Sequence, residues 1–290
     1  MKGLLFFYKF VSFDRIDILQ NGLIRFSPIG DFNDPFELVP SITPYSKNFL
    51  EHVNELSELE LQKMEFNEED LMYSSERVDQ VECYKEKYRK EIARYGVLSL
   101  SSNTEINQLL TVSMSDKRDP RTNILMWSHY ADSHKGFVIE FRADFVDEIK
   151  LRKVYYSNDR DYLTFEDIDE NSFDDIFFKK SIEWAYEQEY RAILPLDKAY
   201  KVHDERFHLY KINKASINSI TFGCAMSEEN KKAIIDSIRN DADFGGVKFN
   251  HARLNDSSFL LDFYYDDGRC TNNPDLFGAR KIPNQKNPNK

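Results

Sequence analysis

Trp184-Ala-Tyr-Glu187-Gln-Glu189-Tyr190-Arg191-Ala-Ile-Leu194 sets two carboxylates two residues apart, at the head of a run that reads as a strand (Tyr190, Ala192, Ile193, Leu194). A strand turns side chains i and i+2 to one face. If the strand begins by Glu187, then Glu187 and Glu189 point the same way, roughly 7 Å apart. Two like charges that close are unfavourable unless a cation, a shared proton or a substrate compensates. Two readings follow. Either Arg191 and nearby lysines neutralise the pair at a solvated strand end, or the pair is catalytic.

Upstream of this segment the chain alternates between strand and helix patterns. Residues 4–10 predict a first strand, 13–20 a short helix and 23–27 a second strand, with Asn21-Gly22 as the turn between them. Residues 28–44 form a loop rich in Pro, Asp and Asn. Between Glu51 and Asp79 there are ten acids and two bases. With Leu50, Val53, Leu56, Leu59 and Leu61 at near-helical spacing, this predicts a helical insertion over about 47–95. Strands are expected at 97–101, 110–114, 136–141 and 151–156, with short helices at 124–131 and 145–149. A mostly helical stretch is expected over 165–184.

Downstream, strands are expected at 203–212, 217–222, 247–254 and 259–265. Ser227-Glu-Glu-Asn-Lys-Lys-Ala-Ile-Ile-Asp-Ser-Ile-Arg is the clearest helix, with a serine cap, two early glutamates and a late arginine. Residues 279–290, with two prolines, four basic residues and three asparagines, read as a loose tail. The expected fold class is α+β, with a mixed or antiparallel sheet core, as a single domain over 1–278 carrying the helical insertion.

The 290 residues are 41% hydrophobic and 14% aromatic, enough for a full core and too apolar for a disordered chain. The formal net charge of −11 argues against broad, nonspecific nucleic-acid or anionic-membrane binding, though not against a local basic groove. The three cysteines, Cys83, Cys224 and Cys270, are scattered and cannot all pair, which suits a reducing cytoplasm. No run of eighteen apolar residues occurs, and the short apolar run before Lys9 lacks a cleavage site, so neither a membrane span nor a targeting segment is expected.

Two further segments concentrate chemistry. Phe32-Asn33-Asp34-Pro35-Phe36-Glu37 reads as a rigid turn with aromatic anchors, or as a loop in which Asn33 and Asp34 hydrogen-bond a polar ligand. Met126-Trp127-Ser128-His129-Tyr130-Ala-Asp-Ser-His134-Lys135-Gly136 places Trp127 and Tyr130 on one helix face. Such rings suit core packing and ligand stacking alike. Structural hydrogen bonding is the plain role for His129 and His134. Their i, i+5 spacing lacks a local Glu or Cys to complete a zinc set, so no metal is expected. There is no nucleophile elbow, P-loop or dinucleotide-binding glycine fingerprint.

Together with Tyr8-Lys9-Phe10, these motifs resemble the bacterial domain-of-unknown-function family 2971, over roughly residues 5–265. A second resemblance bears on function. Tyr8-Lys9-Phe10, then Ile18-Leu19-Gln-Asn-Gly22-Leu23 and Arg25-Phe26-Ser27, look like the start of ADP-ribosyltransferase-fold proteins. Those enzymes place a catalytic glutamate on a late strand, as Glu187-Gln-Glu189-Tyr190 would. Lys9 departs from their usual His or Arg, and lysine lacks the planar bidentate geometry.

The resemblance implies an ADP-ribosyltransferase-like enzyme acting on NAD as co-substrate, by transfer or hydrolysis, in a bacterial toxin or anti-phage defence role. Its acceptor is unknown. Breaking the nicotinamide–ribose bond develops positive charge that a fixed carboxylate stabilises. The implied catalytic residues are Glu189 and Glu187. The substrate-binding residues are Lys9, Ser27, Asn33, Asp34, Trp127, His129, Tyr130 and Arg191. Two alternatives stand beside this reading: a catalytically silent ligand- or partner-binding domain, and a metal-dependent nuclease using Asp31, Asp34, Glu37 and Glu189.

Overall fold

A computed structural model describes residues 5–56, 77–102, 119–147 and 149–265. Backbone contacts group the chain into two compact units. A terminal unit comprises Met1–Asn21, Ser102–Phe145 and Asn213–Lys290, and a central unit comprises Gly22–Ser101 and Val146–Ile212. The fold class is α+β with mixed sheet pairing.

The terminal unit carries five strands in the order Phe6–Val11, Phe137–Arg142, Ile217–Phe222, Lys248–Leu254 and Leu261–Tyr265. All neighbours are antiparallel except Ile217–Phe222 with Lys248–Leu254. A parallel pair needs a crossover, and the helix Glu228–Arg239 supplies it. Ser227 caps that helix by accepting from the Asn230 N–H at 3.2 Å, and Ile234 and Ile238 form its buried face. Phe137–Arg142 has a strand on each side, and its residues from Phe137 to Phe141 are all buried. That burial explains its nearly unbroken apolar run.

The helix Ile124–Tyr130 leads into this strand through a tight reversal. Asp132, Ser133 and His134 all have left-handed φ, at 45°, 50° and 69°. The reversal is locked from two sides. Gly136 N–H donates to Ala131 O at 2.8 Å, and Ala225 N–H donates to His134 O at 3.0 Å. A Cβ on Gly136 would lie 2.1 Å from Val11 O, and one on Gly223 would lie 2.1 Å from His134 O. Both positions therefore exclude every larger residue.

The central unit has an antiparallel sheet ordered Lys201–His203, Phe207–Lys211, Leu23–Pro28, Tyr95–Ser102, Glu189–Pro195 and Arg152–Lys153. Two short parallel pairs flank it: Ser41–Ile42 with Tyr162–Leu163, and Tyr155–Ser157 with Lys179–Ser181. Its core gathers Val97, Leu163, Phe165, Ile168, Phe173 and Phe177. The helix Val81–Ile92 packs Val81, Tyr84, Tyr88 and Ile92 against that core. These four recur at i, i+3 and i+4, the stripe of an amphipathic helix. Tyr84 stacks on Phe165 with centroids 3.9 Å apart, and the Tyr88 hydroxyl donates to Leu38 O at 2.8 Å. This part of the expected insertion is thus built into the unit.

Several local expectations differ from the structure. The described residues of 145–149 form no helix, because Phe145 and Val146 are buried in an irregular turn. The 203–212 segment is a hairpin, Lys201–His203 with Phe207–Lys211, and 151–156 is broken into two short strands. Within 165–184, only Phe165–Asp169 is α-helix; Lys179–Ser181 is a strand. The expected strand at 110–114, the middle of the acidic segment and the tail at 279–290 lie outside the described residues.

Gly223→Ala is expected to destabilise the protein by about 2 kcal/mol or more, since its Cβ meets backbone that cannot rotate away. Gly246→Ala, with nothing within 4 Å of the added carbon, is the control. Urea denaturation midpoints that shift equally for the two would refute this account of Gly223.

Candidate functional site

In the central unit, two of the sequence motifs meet in one buried ionic network. The strand Glu189–Pro195 is antiparallel to Tyr95–Ser102, with Glu189 opposite Ser101 and Arg191 opposite Ser99. Glu189 and Arg191 therefore share a face. The Arg191 guanidinium grips Glu189 with two bonds, Nε to Oε1 at 2.8 Å and Nη2 to Oε2 at 3.0 Å. Its Nη1 donates to Phe177 O at 2.7 Å, and its Nη2 also donates to Glu37 Oε1. The side chain of Arg191 has no solvent exposure.

Glu187 reaches the network by a route other than strand alternation. It ends a 3-10 turn, Ile182–Glu187, and Gln188 follows in the left-handed region at φ 49°. The strand begins at Glu189. The turn directs Glu187 onto Lys180, whose Nζ stands 2.7 Å from Glu187 Oε2, 3.5 Å from Glu189 Oε2 and 3.6 Å from Glu37 Oε2. Lys180 lies opposite Tyr156 on the Tyr155–Ser157 strand, and the Tyr156 hydroxyl accepts the Glu189 N–H at 2.9 Å. The Trp184 ring covers the Lys180 ammonium at 4.8 Å, a cation–π contact.

The loop that delivers Glu37 is a tight turn. Asp34 Oδ1 accepts the Phe36 N–H at 2.8 Å, and Glu37 N–H donates to Asp34 O at 3.2 Å. Phe36 is turned outward, 62% exposed, while Glu37 is turned inward, its side chain 1% exposed.

Three carboxyls and two cations share this volume, leaving one formal negative charge in excess. The two carboxyls that contact Arg191 respond oppositely. Burial opposes ionisation of Glu189, but the Arg191 guanidinium and the Lys180 ammonium outweigh it and hold its pKa down to about 2. For Glu37, burial prevails over Arg191 and Lys180, helped by repulsion from Glu189 and Glu187, and its pKa is raised. A proton entering the network therefore goes to Glu37 before Glu189. Burial would also lower the Lys180 pKa, but the surrounding glutamates raise it, so Lys180 stays charged. Glu37 Oε2 makes no hydrogen bond among the described residues.

Beside the network lies a cleft of about 270 Å³ whose lining residues include Asp34, Phe36, Glu37, Arg160, Lys179 and Lys180. Glu189, Glu187 and Arg191 do not line it. Of the residues singled out from sequence, the structure thus gathers Glu187, Glu189 and Arg191 in one network and puts Asp34 at the cleft. Asn33 is exposed. Ser27 and Glu189 flank opposite edges of the strand Tyr95–Ser102, since Val97 pairs with both Ser27 and Ile193. Strand spacings put Ser27 and Glu189 on the order of 15 Å apart, too far for direct contact.

Lys9, Trp127, His129 and Tyr130 belong to the terminal unit. Lys9 is part-buried on the strand Phe6–Val11, opposite Ile139. Trp127 is fully buried, its Nε1–H donates to Arg121 O at 2.7 Å, and Phe10 packs edge-on at 5.4 Å. It is a core anchor with no ring face open to a ligand. His129 is exposed and Tyr130 part-buried, with ring centroids 6.2 Å apart. His134 stacks parallel to Trp127 at 6.1 Å, and burial lowers its pKa. In the same unit Glu140 accepts from the Tyr8 hydroxyl at 3.0 Å, Asn218 Nδ2 at 2.6 Å and Ser219 Oγ at 2.5 Å.

The sequence reading missed Lys180, which fell inside an expected helix, and gave Glu37 a role of its own only in the nuclease alternative, beside its place in the Phe32–Glu37 loop of the binding alternative. The signal for Lys180 was the need for a cation beside two glutamates. The carboxylates of the nuclease alternative are largely engaged by arginines: Asp31 by Arg25 and Arg206, and Glu37 and Glu189 by Arg191.

Residues 126–192 match the family DUF2971, described as a protein of unknown function. The match holds the Trp127–Gly136 and Trp184–Arg191 motifs and is narrower than the 5–265 span expected from sequence. No curated protein and no solved structure matches the chain. No helix among the described residues is long and apolar enough to cross a membrane.

Arg191→Met is expected to cost about 3–5 kcal/mol in urea denaturation, because Glu37 and Glu189 are left buried without their guanidinium. A loss below about 1 kcal/mol, the value of an exposed ion pair, would contradict this role. Acid response separates the glutamates by sign. Glu189 has a depressed native pKa, so its contribution is present above its ordinary value of 4.5 and is lost as pH falls toward about 2. Glu189→Gln is expected to lack that component. Glu37 has a raised native pKa, so its contribution is present at low pH and is lost as pH rises through that value. Glu37→Gln is expected to gain stability relative to wild type as pH rises above the ordinary carboxyl value of 4.5. A difference that does not change with pH would count against the assignment.

Proposed function

We propose that the chain is a ligand-binding domain that holds a small polar molecule in the Glu37–Lys180 cleft of the central unit. One observation carries this reading. Glu37 and Lys180 line a concave surface while their side chains are only 1% and 4% exposed, and Glu37 keeps one oxygen without a hydrogen bond. A buried polar atom left without a hydrogen bond is costly, even beside the Lys180 ammonium at 3.6 Å, and a ligand group that reaches it recovers that cost. Lys180 is engaged by the three glutamates, so the group left for a ligand is the Glu37 carboxyl, and its complement is a molecule with hydroxyl or amide donors. Phe36 and Arg160, whose guanidinium lies 5.4 Å from the Phe36 ring, add an aromatic wall and a positive charge. At about 270 Å³ the cleft lies at the lower end of ligand pockets, which suits a sugar- or nucleoside-sized portion.

A second reading, action on NAD, draws on the resemblance to ADP-ribosyltransferase-fold proteins and on the ionised state of Glu189. A nicotinamide–ribose bond breaks with its electron pair passing to the ring, so nicotinamide leaves neutral and needs no acid. Its demand is an ionised carboxylate at the ribose. Glu189 has the charge, but Arg191 and Lys180 occupy its oxygens. Turnover would require that network to open. The toxin or defence role rests on this reading alone.

Thermal shift and calorimetric titration with ADP-ribose, NAD and ribose 5-phosphate, joined to a nicotinamide-release assay, separate the two. Under the binding reading at least one of these gives saturable binding, weakened about ten-fold by Phe36→Ala or Glu37→Gln, with no nicotinamide released. Removal of one good contact is worth about that factor. Nicotinamide release that falls about 100-fold in Glu189→Gln would favour the enzyme. Binding untouched by both cleft variants would overturn the placement of the site.

A further inference from the structure

The central unit has a second cleft, of about 640 Å³, which shares Leu38–Pro40 and Arg160 with the first. Its walls carry an apolar set, Ile29, Leu38, Ile42, Tyr88 and Ile92. The helix Val81–Ile92 forms one side, and the chain around Pro28 and Ser41 forms the other. The charged groups that line it are all cations, Lys85, Arg89 and Arg160, with no Asp or Glu among the lining residues. That is contrary to the composition, in which acids outnumber bases by 50 to 39. The bias is a property of the place.

The three cations differ in how free they are. Lys85 pairs with Glu82 at 2.5 Å and Arg89 with Glu86 at 3.7 Å, both along the exposed face of the helix. Exposed pairs of this kind are worth little and yield readily to a competing anion. Arg160 pairs with no carboxylate among the described residues. It donates to Val39 O at 2.5 Å and lies over Phe36, so its guanidinium is held in place, and Arg160 lines both clefts. A fixed, unneutralised guanidinium beside an apolar cavity presents two complementary demands, an anion and an apolar body joined to it.

We propose that this second cleft binds an amphiphile, an aliphatic chain seated against Ile29, Leu38, Ile42 and Ile92 with its anionic head on Arg160. The head is a carboxylate or a phosphate, both of which a guanidinium accepts in bidentate fashion. The two clefts share Leu38–Pro40 and Arg160, so both occupants draw on that guanidinium, but Ile29, Ile42 and Ile92 line this cleft and not the Glu37–Lys180 cleft, and its ligand does not depend on the one proposed there.

The test is calorimetric titration of the full chain with decanoate, decyl phosphate, decyltrimethylammonium and acetate, each below its micelle concentration. Decanoate or decyl phosphate is expected to bind saturably at one site, and the stronger of the two identifies the head. Decyltrimethylammonium and acetate are expected to bind at least ten-fold more weakly, since each lacks one of the two demands. Arg160→Glu reverses the charge on an exposed side chain and is expected to weaken the preferred anion at least ten-fold. Ala93→Phe projects a ring into the cleft from an exposed position and is expected to abolish binding. Equal binding of the anionic and cationic amphiphiles overturns the proposal, because it signals mere partitioning. So does binding that survives Ala93→Phe in a variant whose melting temperature matches wild type.

Discussion

The guanidinium of Arg191 is the constraint on which the central unit turns. It ties three separate stretches of chain: its own strand through Glu189, the Phe32–Glu37 loop through Glu37, and the Asp174–Phe178 turn through Phe177 O. A lysine could not do this, because three directions of contact need a planar fork with several donors. Such a network adds little net stability over a well-packed apolar core, since both charges must leave water. Its consequence is geometric. It allows only the arrangement in which Glu37 points inward and Phe36 outward, and that arrangement makes the wall of the cleft.

The terminal unit is governed by a steric constraint instead. Three consecutive left-handed residues bring His134 O so close to Gly223 that no side chain fits between them. Trp127, fully buried against Phe10 and His134, holds the helix that enters this reversal. Both the Trp127–Gly136 motif and the Trp184–Arg191 motif therefore have sufficient structural reasons for their residues. What distinguishes the second is that part of its network reaches a cavity.

The sequence made the strands around the two motifs legible because they are long and apolar on a period the eye can count: Phe6–Val11, Phe137–Arg142 and Ile217–Phe222 fall within a residue or two of expectation. Short elements were illegible for a physical reason. Lys179–Ser181 is three residues long and exists because Tyr155–Ser157 lies beside it, so no local pattern announces it. Lys180 was hidden with it. The pairing of Glu187 with Glu189 was anticipated for a reason that does not hold. The two converge through a left-handed Gln188 and a common cation, where strand alternation had been expected. Glu37 could be seen as a carboxylate in a rigid loop, but its partner is 154 residues away in the chain, and only the fold brings them together.

Two acids close together in sequence are weak evidence of catalysis until their oxygens have been accounted for. Glu140 has both oxygens engaged, one by Tyr8 and the other by Asn218 and Ser219, and is a structural carboxylate. Glu189 has both engaged by Arg191, with Lys180 close to one of them, and its depressed pKa is the electrostatic record of that engagement. Glu37 differs in kind: one oxygen accepts from Arg191, the other has the Lys180 ammonium at 3.6 Å but no hydrogen bond, and burial makes it the place where a proton settles before Glu189. A carboxyl that is fixed in position, short of one partner and set in a cleft wall beside a lysine has the properties that recognition of a polar ligand requires. The functional emphasis of the motif thus passes from the two glutamates that advertise it to the one the fold delivers from elsewhere.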